Sequence, residues 1–276
     1  QYAETVMDEY LHNKITEGMS DFEKLEAIAA FPAQYDYSAS ASGYIGMIVT
    51  GGGDCWASTS AIIHLCEKVQ LQAHVRYAVN DGNAGSGHRN AAVKIGDSVY
   101  VVEAGYNETK PRNYNIWEEK TGFDYSIEDG KVEIKQYDGF SSDIVIPAEI
   151  KGYPVTSIGD SAFYYGERYS DVPVHSVQLP DTIAHIGKNA FARTSIKSIR
   201  LPASVQTIHT FAFSESDLTE IQVADGNASY SSTDGVLFDA DRKTLIAFPA
   251  GKQGVYYIPD GVTAISTYAF GYTKKL

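Results

Sequence analysis

The sequence predicts a chain in two parts: an α+β domain over residues 1–121 and a β-solenoid of short repeats over residues 122–276. Two observations lead there. From residue 124 onward an Ala-Phe pair recurs, at Ala162-Phe163, Ala190-Phe191, Ala212-Phe213 and Ala269-Phe270. Residues 1–121 have no such period; they hold helix-like and strand-like segments around a GGGDCW run at 51–56.

In the first part, SDFEKLEAIAAF (20–31) opens on Ser20 with Glu23 three positions on, ahead of apolar Leu25, Ile28 and Phe31. That is the pattern of a capped amphipathic helix. CWASTSAIIHLCEKV (55–69) reads as a second helix. AHVRYAV (73–79), RNAAVKI (89–95) and SVYVVEA (98–104) read as strands, the last two joined by a tight turn at Gly96-Asp97. Residues 107–123 read as the connection to the second part.

In the second part, VTSIGDSAF, IAHIGKNAF, VQTIHTFAF and VTAISTYAF precede or contain each pair, with VHSVQLP, IKSIRLP and LTEIQVA between them. Phe191 and Phe213 are 22 residues apart, as are Pro180 and Pro202. A period near 22 with apolar positions two and three apart is a solenoid signature. Each turn contributes a short strand such as SIRL with alternate residues inward. Each Phe is expected to fill the gap between neighbouring turns, since periodic exposed rings would be costly. The insert SSTDGVLFDADRKTLIAF (231–248) alternates around turn residues and reads as a hairpin.

Composition narrows the function. The 276 residues, 43% of them hydrophobic, suffice to bury a core. Lys plus Arg number 22 and Asp plus Glu 35, a net charge of −13, which argues against nucleic acid as partner. It also gives no reason to expect binding to anionic membranes, and no apolar run is long enough to span one. Cys55 and Cys66 lie eleven residues apart on one helix, roughly 16 Å at 1.5 Å per residue, so free thiols are expected. The chain opens at Gln1, without a signal peptide, and stops inside a repeat at YAFGYTKKL; it reads as a piece of a longer product.

Cys55 stands where a helix N-terminus would favour thiolate and offer unpaired amides to an oxyanion. Gly53, Asp54 and Trp56 are the neighbours expected to line substrate or oxyanion there, with Gly51–Gly53 leaving room for a substrate backbone. The base must come from His12, His64, His74 or His88. His64 lies two and a half turns down the same helix; His12 and His74 read as ordinary. His88 opens a strand, and Glu103 ends the returning one. A two-residue turn at Gly96-Asp97 pairs positions summing to 193, which makes Glu103 a diagonal neighbour of His88. A slide by two would put them directly opposite. A single-residue bulge would separate them.

This set resembles the transglutaminase-like family, with its papain-type Cys-His-Asp logic. The residues that carry the likeness are Gly53-Asp54-Cys55-Trp56, the fifteen-residue step from His88 to Glu103, and QYDYSAS at 34–40, within residues 20–106. The resemblance implies a transglutaminase-like or cysteine-protease-like fold and acyl transfer by Cys55, His88 and Glu103, on a protein or peptide substrate. No cluster with metal-ligand spacing is present in the sequence, so no metal and no cofactor is expected. Glu103 stands where the family has Asp, and Arg89 where a small or aromatic residue is common. The IP..I.G.PVTSIG..AF pattern at 146–163, its successors and the DGVLF insert resemble BspA-type leucine-rich repeats, found on surface and secreted proteins. That resemblance implies an extracellular or cell-surface location and binding of a host, matrix or cell-surface protein, without membrane insertion. An adhesin with a silent first domain is the alternative.

Overall fold

The computed structural model describes residues 1–38, 41, 43–78, 88–104, 114–119, 122–164 and 173–273. The chain forms two compact units, Gln1–Gly122 and Phe123–Leu276.

In the first unit, helices α1 (Tyr2–Lys14), α2 (Asp21–Ala29), α3 (Tyr44–Thr50) and α4 (Cys55–Lys68) accompany a small parallel pair, β1 (Asp36–Tyr37) and β2 (Gly52–Gly53). An antiparallel sheet of β3 (Gln72–Ala78), β4 (His88–Ile95), β5 (Ser98–Glu103) and β6 (Asn115–Glu119) runs in that order. α2 begins with a full capping box: Ser20 Oγ accepts from the Glu23 N–H, and the Glu23 carboxylate accepts from the Ser20 N–H. Each cap satisfies a donor the first turn leaves over. α4 buries Ala57, Ala61, Ile62, Leu65 and Cys66 in one core with Ala91, Val93, Val102 and Ala104 of the sheet region.

Several elements were not read from the sequence. α1 buries Ala3 and Met7 and packs Val6, Tyr10 and Leu11 against the same core, with charge and hydrogen bonds added at Glu4. Glu4 meets Lys68 Nζ at 2.9 Å and His64 Nε2 at 3.0 Å, and accepts from the Tyr44 hydroxyl at 2.8 Å. These partners, Lys68 foremost, hold its carboxyl down to about 2. α3 is short and glycine-containing. β6 corrects the reading of 107–123 as pure connection: Asn115–Glu119 pairs with β5, with Ile116 and Trp117 half-buried. The second unit opens on a hairpin of β7 (Phe123–Glu128) and β8 (Lys131–Tyr137), turning at Asp129-Gly130 with both φ positive.

From β8 the second unit coils. Ile134, Ile158, Ile186 and Ile208 occupy successive rungs of one parallel sheet. Ile144 pairs with Val177, and Ile199 with Ile221, in two further parallel pairs. Ile199 and Leu201 of SIRL point inward, as alternation requires. At the bend the Phe163 N–H donates to the Ala190 carbonyl, and that of Phe191 to Ala212, both at 2.8 Å. The rings stack in step: Tyr137–Phe163 at 5.9 Å, Phe163–Phe191 at 5.1 Å and Phe191–Phe213 at 6.0 Å between centroids. The insert is a three-stranded meander rather than a simple hairpin, because Thr244–Ala247 returns alongside Val236–Asp239. Phe270 departs from the ladder and stacks on Phe248 of that insert.

Phe191 lies between two stacked rings and is fully buried. Phe191→Ala is expected to cost about 3–5 kcal/mol of stability. Urea unfolding would show it as a lower midpoint of the second unit's transition; a loss below about 1 kcal/mol would contradict the ladder's structural role.

Candidate active site

The site is assembled from a turn and two strands. Gly51 ends α3 in the left-handed conformation, φ 80°, which glycine adopts without steric cost. The chain then runs beside β1: Asp36 and Ser38 donate their N–H groups to the Gly51 and Gly53 carbonyls, both at 3.1 Å. A Cβ on Gly52 would come within 2.9 Å of the Asp36 oxygen, and one on Gly53 within 2.6 Å of Ala57 Cβ and 2.9 Å of Met47 Cβ. These glycines therefore admit neighbouring backbone and side chains. At Gly52 and Gly53 the room expected for a substrate backbone is filled by the protein itself, whereas a Cβ on Gly51 would meet nothing within 4 Å.

Asp54 is the N-cap of α4, its carboxylate accepting from the Ala57 N–H at 2.9 Å. Its own N–H donates to the Ala41 carbonyl at 3.2 Å. Asp54 thus shapes the helix start and does not offer its amide to a ligand. Cys55 is the first helical residue and is half-buried. The amides of Cys55 and Trp56 fall in the first turn, which has no intrahelical acceptor.

β4 and β5 pair Ala91 with Val102 and Ile95 with Ser98. The bulge that would have split the pair is absent, and Glu103 stands diagonal to His88. His88 Nε2 and Glu103 Oε2 form a hydrogen-bonded ion pair. The His88 side chain is only 2% exposed. Its ring also interacts with the Cys55 side chain, and Cys55 first and Glu103 second push its pKa up to about 10. Cys55, His88 and Glu103 thus meet. Cys66 is elsewhere in the core, and burial pushes its thiol up to about 12. His64 is held by Glu4 and stacks on Tyr44, centroids 4.6 Å apart.

Arg76 and Asn90 escaped the sequence reading, and Arg89 entered it only as a departure from the family pattern. The Arg89 guanidinium lies over the Trp56 ring, joining the residue after the histidine to the residue after the cysteine. Trp56 is 39% exposed and Arg89 8%. Arg76 and Asn90 are cross-strand partners, almost fully buried, on the His88 side of the sheet. Polar letters inside HVRYA and HRNAA were the available signal. Among the described residues, no cluster of three His, Cys, Asp or Glu could hold a metal ion. None of their helices is long and apolar enough to cross a membrane.

Residues 140–234 match the BspA type leucine rich repeat region, in six copies. These are BspA-type leucine-rich repeats. The pneumococcal vaccine antigen PcpA is similar in structure at 24% identity over 46% of this chain and 37% of its own, TM-score 0.37. A leucine-rich repeat protein from Eubacterium ventriosum shares 16% identity over 74% of this chain and 59% of its own, TM-score 0.41. A leucine rich cell surface protein from Faecalibacterium prausnitzii shares 22% over 57% and 68%, TM-score 0.33. The chain thus spans 37% and 59% of the length of the first two, less than two thirds of each. No curated protein matches it. The family match lies outside residues 1–122, and none of these similar proteins is described as a transglutaminase.

Two outcomes follow from the geometry. Gly53→Ala should cost roughly 1–3 kcal/mol by overpacking, measured by thermal or urea unfolding. An unchanged stability would mean Met47 and Ala57 yield freely. His88 is raised relative to the unfolded chain, so its contribution to stability is complete below about pH 6.5 and is lost as pH rises through about 10. An NMR titration of the ring should give a midpoint near 10 that moves toward the ordinary histidine value in Glu103→Gln and Cys55→Ala.

Proposed function

We propose that this is an adhesin-like surface protein whose BspA-type repeats bind a protein partner. Within it, residues 1–121 form a transglutaminase-like cysteine domain and residues 122–276 the repeat domain. The repeat match supports the first half of this reading. One observation carries the second: the His88 ring interacts with Cys55 on one side and Glu103 on the other, at the start of a helix. The location is extracellular or at the cell surface, and the partner of the repeats is a host, matrix or cell-surface protein.

The chemistry is acyl transfer. His88 holds the proton of Cys55, and the thiolate attacks a carboxamide or peptide carbonyl. The Cys55 and Trp56 amides and the positive end of α4 stabilise the oxyanion. The C–N bond breaks as His88 returns its proton to the leaving nitrogen, and a thioester remains on Cys55. Water then releases an acid, or a lysine amine forms a cross-link. Glu103 orients the ring throughout. No cofactor takes part.

The alternative, a catalytically silent first unit on an adhesin, is favoured by the family match lying wholly within the repeats and by the substitutions at Glu103 and Arg89.

Iodoacetamide at pH 6 separates the two. Peptide mapping should find Cys55 carbamidomethylated and Cys66 untouched, with His88→Ala slowing Cys55 by about tenfold or more. A labelled Gln-peptide, with and without an amine donor, should then give an amine conjugate or the free acid. His88→Ala should reduce this turnover by about a thousandfold. Equal inertness of both thiols would favour the silent adhesin.

A further inference from the structure

The aromatic ladder of the repeats is interrupted once. It runs to Phe213, and the next stacked pair is Phe248 with Phe270. Between Phe213 and Phe248, both of which line it, lies a cleft of about 210 Å³. Each bend of the coil holds a residue with positive φ two places before its Phe: Ser161, Asn189, Phe211 and Tyr268, at 60°, 56°, 63° and 64°. The first two are small polar residues suited to that conformation. The other two are bulky aromatics, and both line the cleft. Tyr272, likewise at positive φ, is a third.

Phe211 is half-buried against Tyr268 and Tyr272, while the two tyrosines stand open. Tyr268 is 64% and Tyr272 51% exposed. Phe211 and Tyr268 lie 4.8 Å apart with planes inclined at 42°. The positive φ belongs to every bend; aromatic faces left in solvent beside a cavity are what is particular here, and they point to a binding site. Hydroxyls of Thr210, Ser214, Ser266 and Thr267 also line the cleft. Among the described residues no Asp, Glu, Lys or Arg does. His209 also lines it and is the one side chain there able to meet an anion with positive charge, so a phosphate or carboxylate ligand would find a single imidazole and no lysine or arginine. Exposed aromatic faces beside several hydroxyls match a ring with an apolar face and hydroxyls at its edge.

We propose that this cleft binds a neutral pyranose ring, so that the repeats recognise a sugar displayed on their partner. The site is independent of the chemistry proposed for Cys55.

The test uses the full chain and three probes: methyl β-galactopyranoside, methyl α-mannopyranoside and N,N′-diacetylchitobiose. Saturation-transfer NMR should show at least one of them bound, with a Kd of about 1 mM or tighter. Phe211→Asn and Tyr268→Asn place at these bends the residue that Asn189 already supplies, so the coil keeps its shape. Each should weaken binding about tenfold. Tyr257→Ala, at a tyrosine 84% exposed and outside the cleft, should leave it unchanged. Failure of all three sugars at about 10 mM, or binding unchanged in Tyr268→Asn, would overturn the proposal. So would tighter binding of N-acetyl-tyrosinamide than of any sugar, which would make this a subsite for a peptide's aromatic side chain.

Discussion

The candidate site depends on how closely two stretches of backbone can approach. Gly52 and Gly53 lie against β1, Met47 and Ala57 at separations that a methyl group would violate. That approach fixes where α4 begins. Asp54 then caps the helix, and Cys55 becomes its first residue. Removing a side chain at Gly53 thus sets the position of the thiol one residue beyond the cap. The helix start supplies partial positive charge and unpaired amides together, so one local constraint delivers both the thiol's position and its electrostatic surroundings.

Around that fixed point the polar groups form two layers. His88 interacts with Cys55 and Glu103, and stays protonated well above neutrality because both neighbours favour its charged form. A ring this buried bears a charge only when partners offset its lost hydration. Outside it, Arg89 over Trp56 links the strand that carries the histidine to the helix that carries the cysteine. Beyond a contribution to stability, such a link limits relative movement of thiol and imidazole.

The repeat unit follows a different economy. Its coils use the same few interactions again: an isoleucine rung, an amide-to-carbonyl bond at each bend, and a ring stacked on the ring before. Because each coil touches mainly its neighbours, stability accumulates coil by coil. The same regularity makes departures informative. The insert occupies the place of a coil, Phe270 turns to Phe248, and two bends exchange small polar residues for aromatics. A sequence bound by repetition departs from it at a local cost, and here the departures surround one cleft.

The sequence by itself determined whatever is periodic or local. Ser20 with Glu23 specified the capping box, the 22-residue step specified the coil, and the two-residue turn at Gly96-Asp97 specified the register that sets Glu103 diagonal to His88. Each is written within a few residues or repeated several times, so spacing alone reveals it. Tertiary structure decided what joins distant, unrepeated positions. α1 lays Ala3, Val6, Met7, Tyr10 and Leu11 on the core, and what the chain does not announce is Glu4 meeting Lys68 and His64, some sixty residues away. Arg89 finds Trp56, and Gly53 proves to be a contact surface rather than an opening. Such contacts leave no pattern along the chain, because the energy that selects them comes from burial and charge pairing that exist only once the chain has folded.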